Sequence, residues 1–176
     1  MSDGERQDPI RMVPHDSAWA ADFERERALV ERALAPWLVG PVEHIGSTAV
    51  AGLAAKPIID MMACVSSYDA GSEAIAELDR VGWVHAPEPD DEVGRKWSFC
   101  RPDPIRRTHH LHVYESGSLL PQSLIAFRDH LRSHPEDAAE YGRIKTALAA
   151  EDDRDRPRYR AGKAPFIRAV LARSSR

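Results

Sequence analysis

Residues 44–60 read "HIGSTAVAGLAAKPIID", in which a Gly-Ser pair, Gly46-Ser47, precedes a lone acid, Asp60, inside the apolar run "IIDMMA". An ionised carboxylate in such a run is costly to bury unless it is paired, hydrogen-bonded or metal-bound. A strand that ends in Gly-Ser and turns into a helical segment at Ser47 and Thr48 offers backbone N–H groups and a hydroxyl to an anion, with a helix dipole of the right sign. Two readings fit: a loop that holds phosphates beside a strand that holds a metal, or an ordinary turn followed by a buried strand whose acid makes a salt bridge. Gly-Ser turns are too common to decide between them.

A second constellation lies in "THHLHVY". Strand alternation sends Leu111 and Val113 to one face and His110, His112 and Tyr114 to the other, with the two imidazoles about 7 Å apart along the strand. That spacing lets both address one ligand or metal; a solvated polar face is the alternative. Lys56, between the turn and the following strand, could reach a phosphate. Arg128 and Arg132 share a helix face, as do Tyr141 and Lys145, and either pair could grip an anion or stay in water. The arginines of "DDRDRPRYRAG" are interleaved with acids, which argues for a self-neutralising connector; Tyr159 and Lys163 could close over a site as a lid.

These residues need a scaffold, and the chain has room for one. With 176 residues, 43% hydrophobic and 30% charged, it can bury about two-thirds of its unfolded surface in one domain. We expect a flexible tail at 1–9 and a single domain over 10–176, with the sheet at about 40–115 and helices at about 119–173. No apolar run reaches the roughly 20 residues of a membrane span, and "MSDGERQDP" has no signal-peptide core, so the expected location is cytoplasmic. A net charge of −4 gives no general attraction to nucleic acid. Cys64 and Cys100 read as small core residues.

The first helix is capped by Asp16 or Ser17 and carries Phe23, Val30, Ala33, Leu34 and Trp37 at three- and four-residue intervals. "VEHI" and "KPIIDMMACV" read as strands, "STAVAGLAA" as a helical turn and "DAGSEAIAELDRVG" as a helix. Short strands "WVHA", "KWSFCR" and "THHLHVY" come next. Helices then follow over "LLPQSLIAFRDHLRSH", "PEDAAEYGRIKTALAAE" and near "KAPFIRAVLARS". This order gives an α+β fold: a mixed sheet covered by helices, with a C-terminal helical extension.

The segment 44–60, the triplet His110 to His112, "AFRDHLRSHP", "YGRIKTALA" and the late Tyr159, Lys163, Phe166 and Ile167 together resemble the GrpB family, from about Ile10 to Leu171. The resemblance implies a nucleotidyltransferase-like fold of the superfamily that includes DNA polymerase beta. It also implies a nucleoside triphosphate or other phosphorylated small molecule as ligand. The superfamily pattern places hydrophobic-Gly-[Gly/Ser] before Asp-hydrophobic-[Asp/Glu], and Ile45-Gly46-Ser47 and Asp60 fit it. It implies that the Gly46-Ser47 turn holds the phosphates, that Arg128 and Lys145 bind substrate and that Asp60 binds a divalent metal; Thr48, Lys56 and Lys163 join them as substrate-binding candidates by position.

Met62 occupies the second acid position, and a thioether does not hold Mg²⁺, which takes oxygen ligands. Asp60, His110 and His112 would therefore hold one transition metal better than two magnesium ions, and are the expected catalytic and metal residues. Three activities follow as expectations: nucleotidyl transfer to a small acceptor, silent nucleotide or anion binding, and metal-dependent phosphoester hydrolysis.

Overall fold

The structure, a computed structural model, is described over residues 9–174. Apart from Pro9, the expected tail lies outside the described residues. Helix α1 (Ala18–Ala33) is capped by Asp16, whose Oδ1 accepts the Ala18 N–H at 2.9 Å, while Ser17 makes no side-chain cap. Trp19, Phe23, Val30 and Ala33 form its buried stripe. Leu34 and Trp37, expected on the same helix, fall in the turn after it; Leu34 is fully buried there.

Strand β1 (Glu43–Ile45) pairs antiparallel with β2 (Ile59–Val65). Helix α2 (Gly71–Arg80), β3 (Val84–His85), β4 (Lys96–Arg101) and β5 (His109–Glu115) follow. The sheet order is β1-β2-β5-β4-β3, with β2 and β5 parallel and the other neighbours antiparallel, so the expected mixed sheet is present. The period of two sorts side chains by face. Met61, Ala63 and Val65 of β2, Leu111 and Val113 of β5 and Trp97 and Phe99 of β4 pack with Phe23, Val30 and Leu78 of α1 and α2. Each large apolar side chain buried here stabilises by about 1.5–3 kcal/mol.

On the other face stand Asp60, Met62 and Cys64 of β2 beside His110, His112 and Tyr114 of β5. Helices α3 (Leu119–Ser133), α4 (Pro135–Glu151) and α5 (Arg156–Ser174) complete the chain. α3 lays Leu124 and Ile125 over Ile45, Met62 and Tyr114. The three helices are joined by rings: Phe127 meets Tyr141 edge-on at 5.1 Å, and Tyr141 stacks on Phe166 at 5.4 Å. No helix among the described residues is long and apolar enough to cross a membrane.

Two local expectations need correction. "STAVAGLAA" forms only a three-residue 3-10 turn, Ser47–Ala49, because Val50 is extended and Gly52 reverses the chain at φ +76°; a turn that short carries no useful macrodipole. The supposed connector is mostly helix. Asp155 Oδ1 accepts the Arg158 N–H at 2.8 Å and starts α5 at Arg156, with Pro157 in the first turn, where a missing N–H costs nothing.

Candidate functional site

Gly46 sits at φ +72°, and a Cβ there would stand 2.6 Å from Asp60 Oδ2, so only glycine lets the turn lie against the acid. The turn is held from behind by His44, which the sequence reading passed over. Its Nε2 meets Thr48 Oγ1 at 2.9 Å and its ring stacks on Phe23 at 4.6 Å. Burial pushes His44 down to about 4 against the pull of Asp60, so the ring is neutral at pH 7. Thr48 is thereby held as a buried partner of His44 and still lines the small cleft beside Ser47. A polar residue between Glu43 and Ile45, in so short a strand, was the available signal.

Asp60 and His110 are register partners on neighbouring parallel strands, and His110 Nδ1 meets Asp60 Oδ1 at 3.1 Å. Burial would raise the Asp60 carboxyl, but His110, through a hydrogen bond and its charge, with His112 and Lys56, holds it below its ordinary value. No arginine pairs with Asp60 among the described residues. His112 lies two residues further along β5, its ring centroid 6.3 Å from that of His110, and Nδ1 faces Ser98 Oγ at 3.3 Å. Burial lowers His112, with Glu88 and Asp60 opposing, which favours the neutral imidazole a metal needs.

Asp60, His110 and His112 each present a donor atom within 4.8 Å of the others. His110 Nε2 is buried without a hydrogen-bond partner, a vacancy in bonding that a metal would fill. One carboxylate and two imidazoles suit a single transition ion. They do not suit two Mg²⁺ ions, since Met62 is sealed under α3 against Ile45 and Tyr114 and brings no oxygen.

Above Asp60 opens a cleft of about 140 Å³ bounded by Gly46, Ser47, Lys56, His110, Tyr141, Lys145, Tyr159 and Lys163. The capping of α5 explains how it closes: Tyr159 and Lys163, four apart, share the helix face turned to it. Lys145 is 2% exposed, and its Nζ lies 2.7 Å from both Ser47 Oγ and the Ala54 carbonyl. Burial, then the neighbouring Lys163 and Lys56, push it down to about 7. Lys163 is lowered to about 8 by burial and by Lys56. Its Nζ lies 4.5 Å from the centre of the Tyr159 ring, and Lys56 Nζ lies 5.6 Å from the same centre. Three lysines thus share one small cleft with one carboxylate.

Arg128 is not among the residues lining the cleft. Its guanidinium is buried and committed to Glu43 at 2.6 Å, Asp129 at 2.8 Å and the His44 carbonyl at 3.0 Å, clamping α3 to β1. Arg132 likewise donates to the Ala49 carbonyl. A larger groove of about 810 Å³ between the 50–54 loop and α4 has no acid or imidazole among its lining residues.

A family model described as "GrpB protein" matches residues 9–173. The chain belongs to the GrpB family. Among its curated relatives, YqkA of Bacillus subtilis is 31% identical over 95% of this chain; the chain spans about half of that protein, 48% of its length. The glutamate-rich protein GrpB of Alkalihalophilus pseudofirmus is 30% identical over 96% of this chain and 97% of its own. The crystal structure of the conserved protein GrpB from Enterococcus faecalis superposes with a TM-score of 0.80, at 30% identity, covering 94% of this chain and all of that one. The fold described above is therefore one this family adopts.

Proposed function

We propose that this GrpB-family chain binds a nucleoside triphosphate by its phosphates in the Ser47–Lys145–Lys163 cleft and transfers the nucleotidyl group to a small acceptor. The observation that carries this reading is convergence: a hydroxyl and three lysines meet the Asp60–His110 pair in one cleft. Phosphates supply the negative charge that this cleft lacks, and ammonium groups in a partly dry site act on them strongly. Asp60, His110 and His112 would hold one divalent ion, which supplies Lewis-acid polarisation of a phosphoryl oxygen. Gly46 lets the turn approach the acid, Ser47 and Lys145 orient the phosphates, and Tyr159 and Lys163 of α5 exclude water from one side.

A second reading, a silent phosphate-binding domain, is favoured by one observation: Met62 and its apolar seal stand where the pattern calls for the second acid. One experiment separates the two. Under the transfer reading, pyrophosphate is released from a nucleoside triphosphate with a divalent metal and acceptor extract, and release falls more than about a hundredfold in Asp60→Ala. The silent reading gives stabilisation of about 2.7 kcal/mol at a hundredfold excess of nucleotide over Kd, with no release. Neither stabilisation nor release would refute both.

A further inference from the structure

Lys145 has partners that do not require it to be charged. Nζ donates to the Ala54 carbonyl and to Ser47 Oγ, each at 2.7 Å; a carbonyl can only accept, but a hydroxyl can also donate, so with a neutral amine the same contact lets Ser47 Oγ give its proton to the lone pair. Among the groups facing Lys145 the two other lysines point the same way, with Asp60 and the Tyr141 ring, its centre 4.9 Å from Nζ, opposing them. Lys56 comes from the segment before β2, Lys163 and the Tyr159 phenol from α5, Tyr141 from its own helix, and Asp60 from β2. No carboxylate among the described residues forms an ion pair with its Nζ, and two nearby ammonium groups oppose a third charge. Burial adds to this and brings the amine near neutrality. A buried lysine of this kind is a competent general base. The second metal, which would otherwise activate an acceptor hydroxyl, has no ligand at Met62.

We propose that Ser47 and Lys145 form a nucleophile–base pair and that Ser47 carries the transferred group as a covalent ester. The proposal rests on the phosphate-binding reading of the same cleft. As Ser47 Oγ bonds to the α-phosphorus of a nucleoside triphosphate, its proton passes to Lys145 Nζ. The α–β phosphoanhydride bond breaks and pyrophosphate leaves with the electron pair. Lys56 and Lys163 face the charge that develops. In the second half the acceptor hydroxyl attacks the same phosphorus, Ser47 Oγ leaves, and Lys145 returns the proton to it while the acceptor proton goes to water. The pair then stands as it began.

The test uses an alkyl fluorophosphonate on the whole chain, in chelator and without nucleotide, with the adduct located by peptide mass spectrometry. Here the new phosphorus–oxygen bond replaces phosphorus–fluorine, fluoride leaves with the bonding pair, and the proton goes to Lys145. The expected adduct is on Ser47, forms faster as pH rises through about 7, and is absent in Ser47→Ala. Labelling drops about a hundredfold in Lys145→Arg, which keeps the charge but cannot take a proton near neutrality, and equally in Lys145→Met. No adduct on Ser47, or a rate unchanged in both Lys145 variants, overturns the proposal. If labelling fails while Asp60-dependent pyrophosphate release persists, transfer is direct and only this proposal falls. If labelling holds and release never occurs, only the transfer reading falls.

Discussion

Lys96 and Lys145 are both buried, 4% and 2% exposed, yet the structure treats them oppositely. Lys96 Nζ lies 3.0 Å from Glu88, 3.1 Å from Asp91 and 3.5 Å from Asp90, and those acids raise it above the ordinary lysine value despite its burial. Lys145 has a hydroxyl and a carbonyl and sinks to about 7. The two sites sit at opposite ends of one sheet face. Burial alone does not set the charge of a lysine; the partners do. The balanced end is scaffolding, and the other end groups three lysines with one carboxylate, the arrangement on which the proposed phosphate reading rests.

The largest effect should come from the balanced end. Lys96→Met leaves Asp91 and Glu88 without their cation and should cost roughly 3–5 kcal/mol in urea unfolding, whereas Lys145→Met, which strands no carboxylate, should stay within about 1 kcal/mol of the parent. Similar losses in both would erase the contrast. Gly46→Ala comes next: it forces a side chain into the left-handed region and against Asp60 Oδ2, and should cost about 2 kcal/mol and weaken metal binding measured by calorimetry.

Smaller per pH unit is a titration effect, which distinguishes the two lysines by sign. Between about 7 and the ordinary 10.5, Lys145 is protonated in the unfolded chain and neutral in the folded one. The unfolded chain then binds the extra proton, so stability gains by up to about 1.4 kcal/mol per pH unit over that window. Below about 7 both states are protonated and the full cost of burial is felt. Urea unfolding at pH 7.5 and 9.5 should show this gain in the parent and a clearly smaller one in Lys145→Met, where only Lys163, lowered to about 8, still contributes, while Lys96, held protonated in the fold, contributes no such rise.

The Asp60–His110–His112 cluster was legible in the sequence, the contrast between the two lysines was not, and the failures share a cause. Period-two alternation placed His110 and His112 on one face of β5, and the lone Asp60 in an apolar run pointed to a paired carboxylate, because both follow from strand geometry and desolvation cost. Spacing alone left Lys145 and Lys163 open between gripping an anion and facing water, since their burial depends on where α4 and α5 dock. Arg128 was read as an anion ligand because spacing fixes a face but not the partner; Glu43 comes from a strand 85 residues away. The helix from Arg156 was missed because the charge pattern hid the Asp155 cap. Ser98 and Asp91, which steady His112 and Lys96, have no local signature.

Calorimetric titration with inorganic pyrophosphate, without metal, tests the unbalanced cleft most directly. The parent should bind it, and Lys145→Met should bind about thirtyfold or more weakly, while Arg128→Lys, which does not line the cleft, should bind like the parent. Equal affinity in parent and Lys145→Met, or no heat in either, would contradict the account.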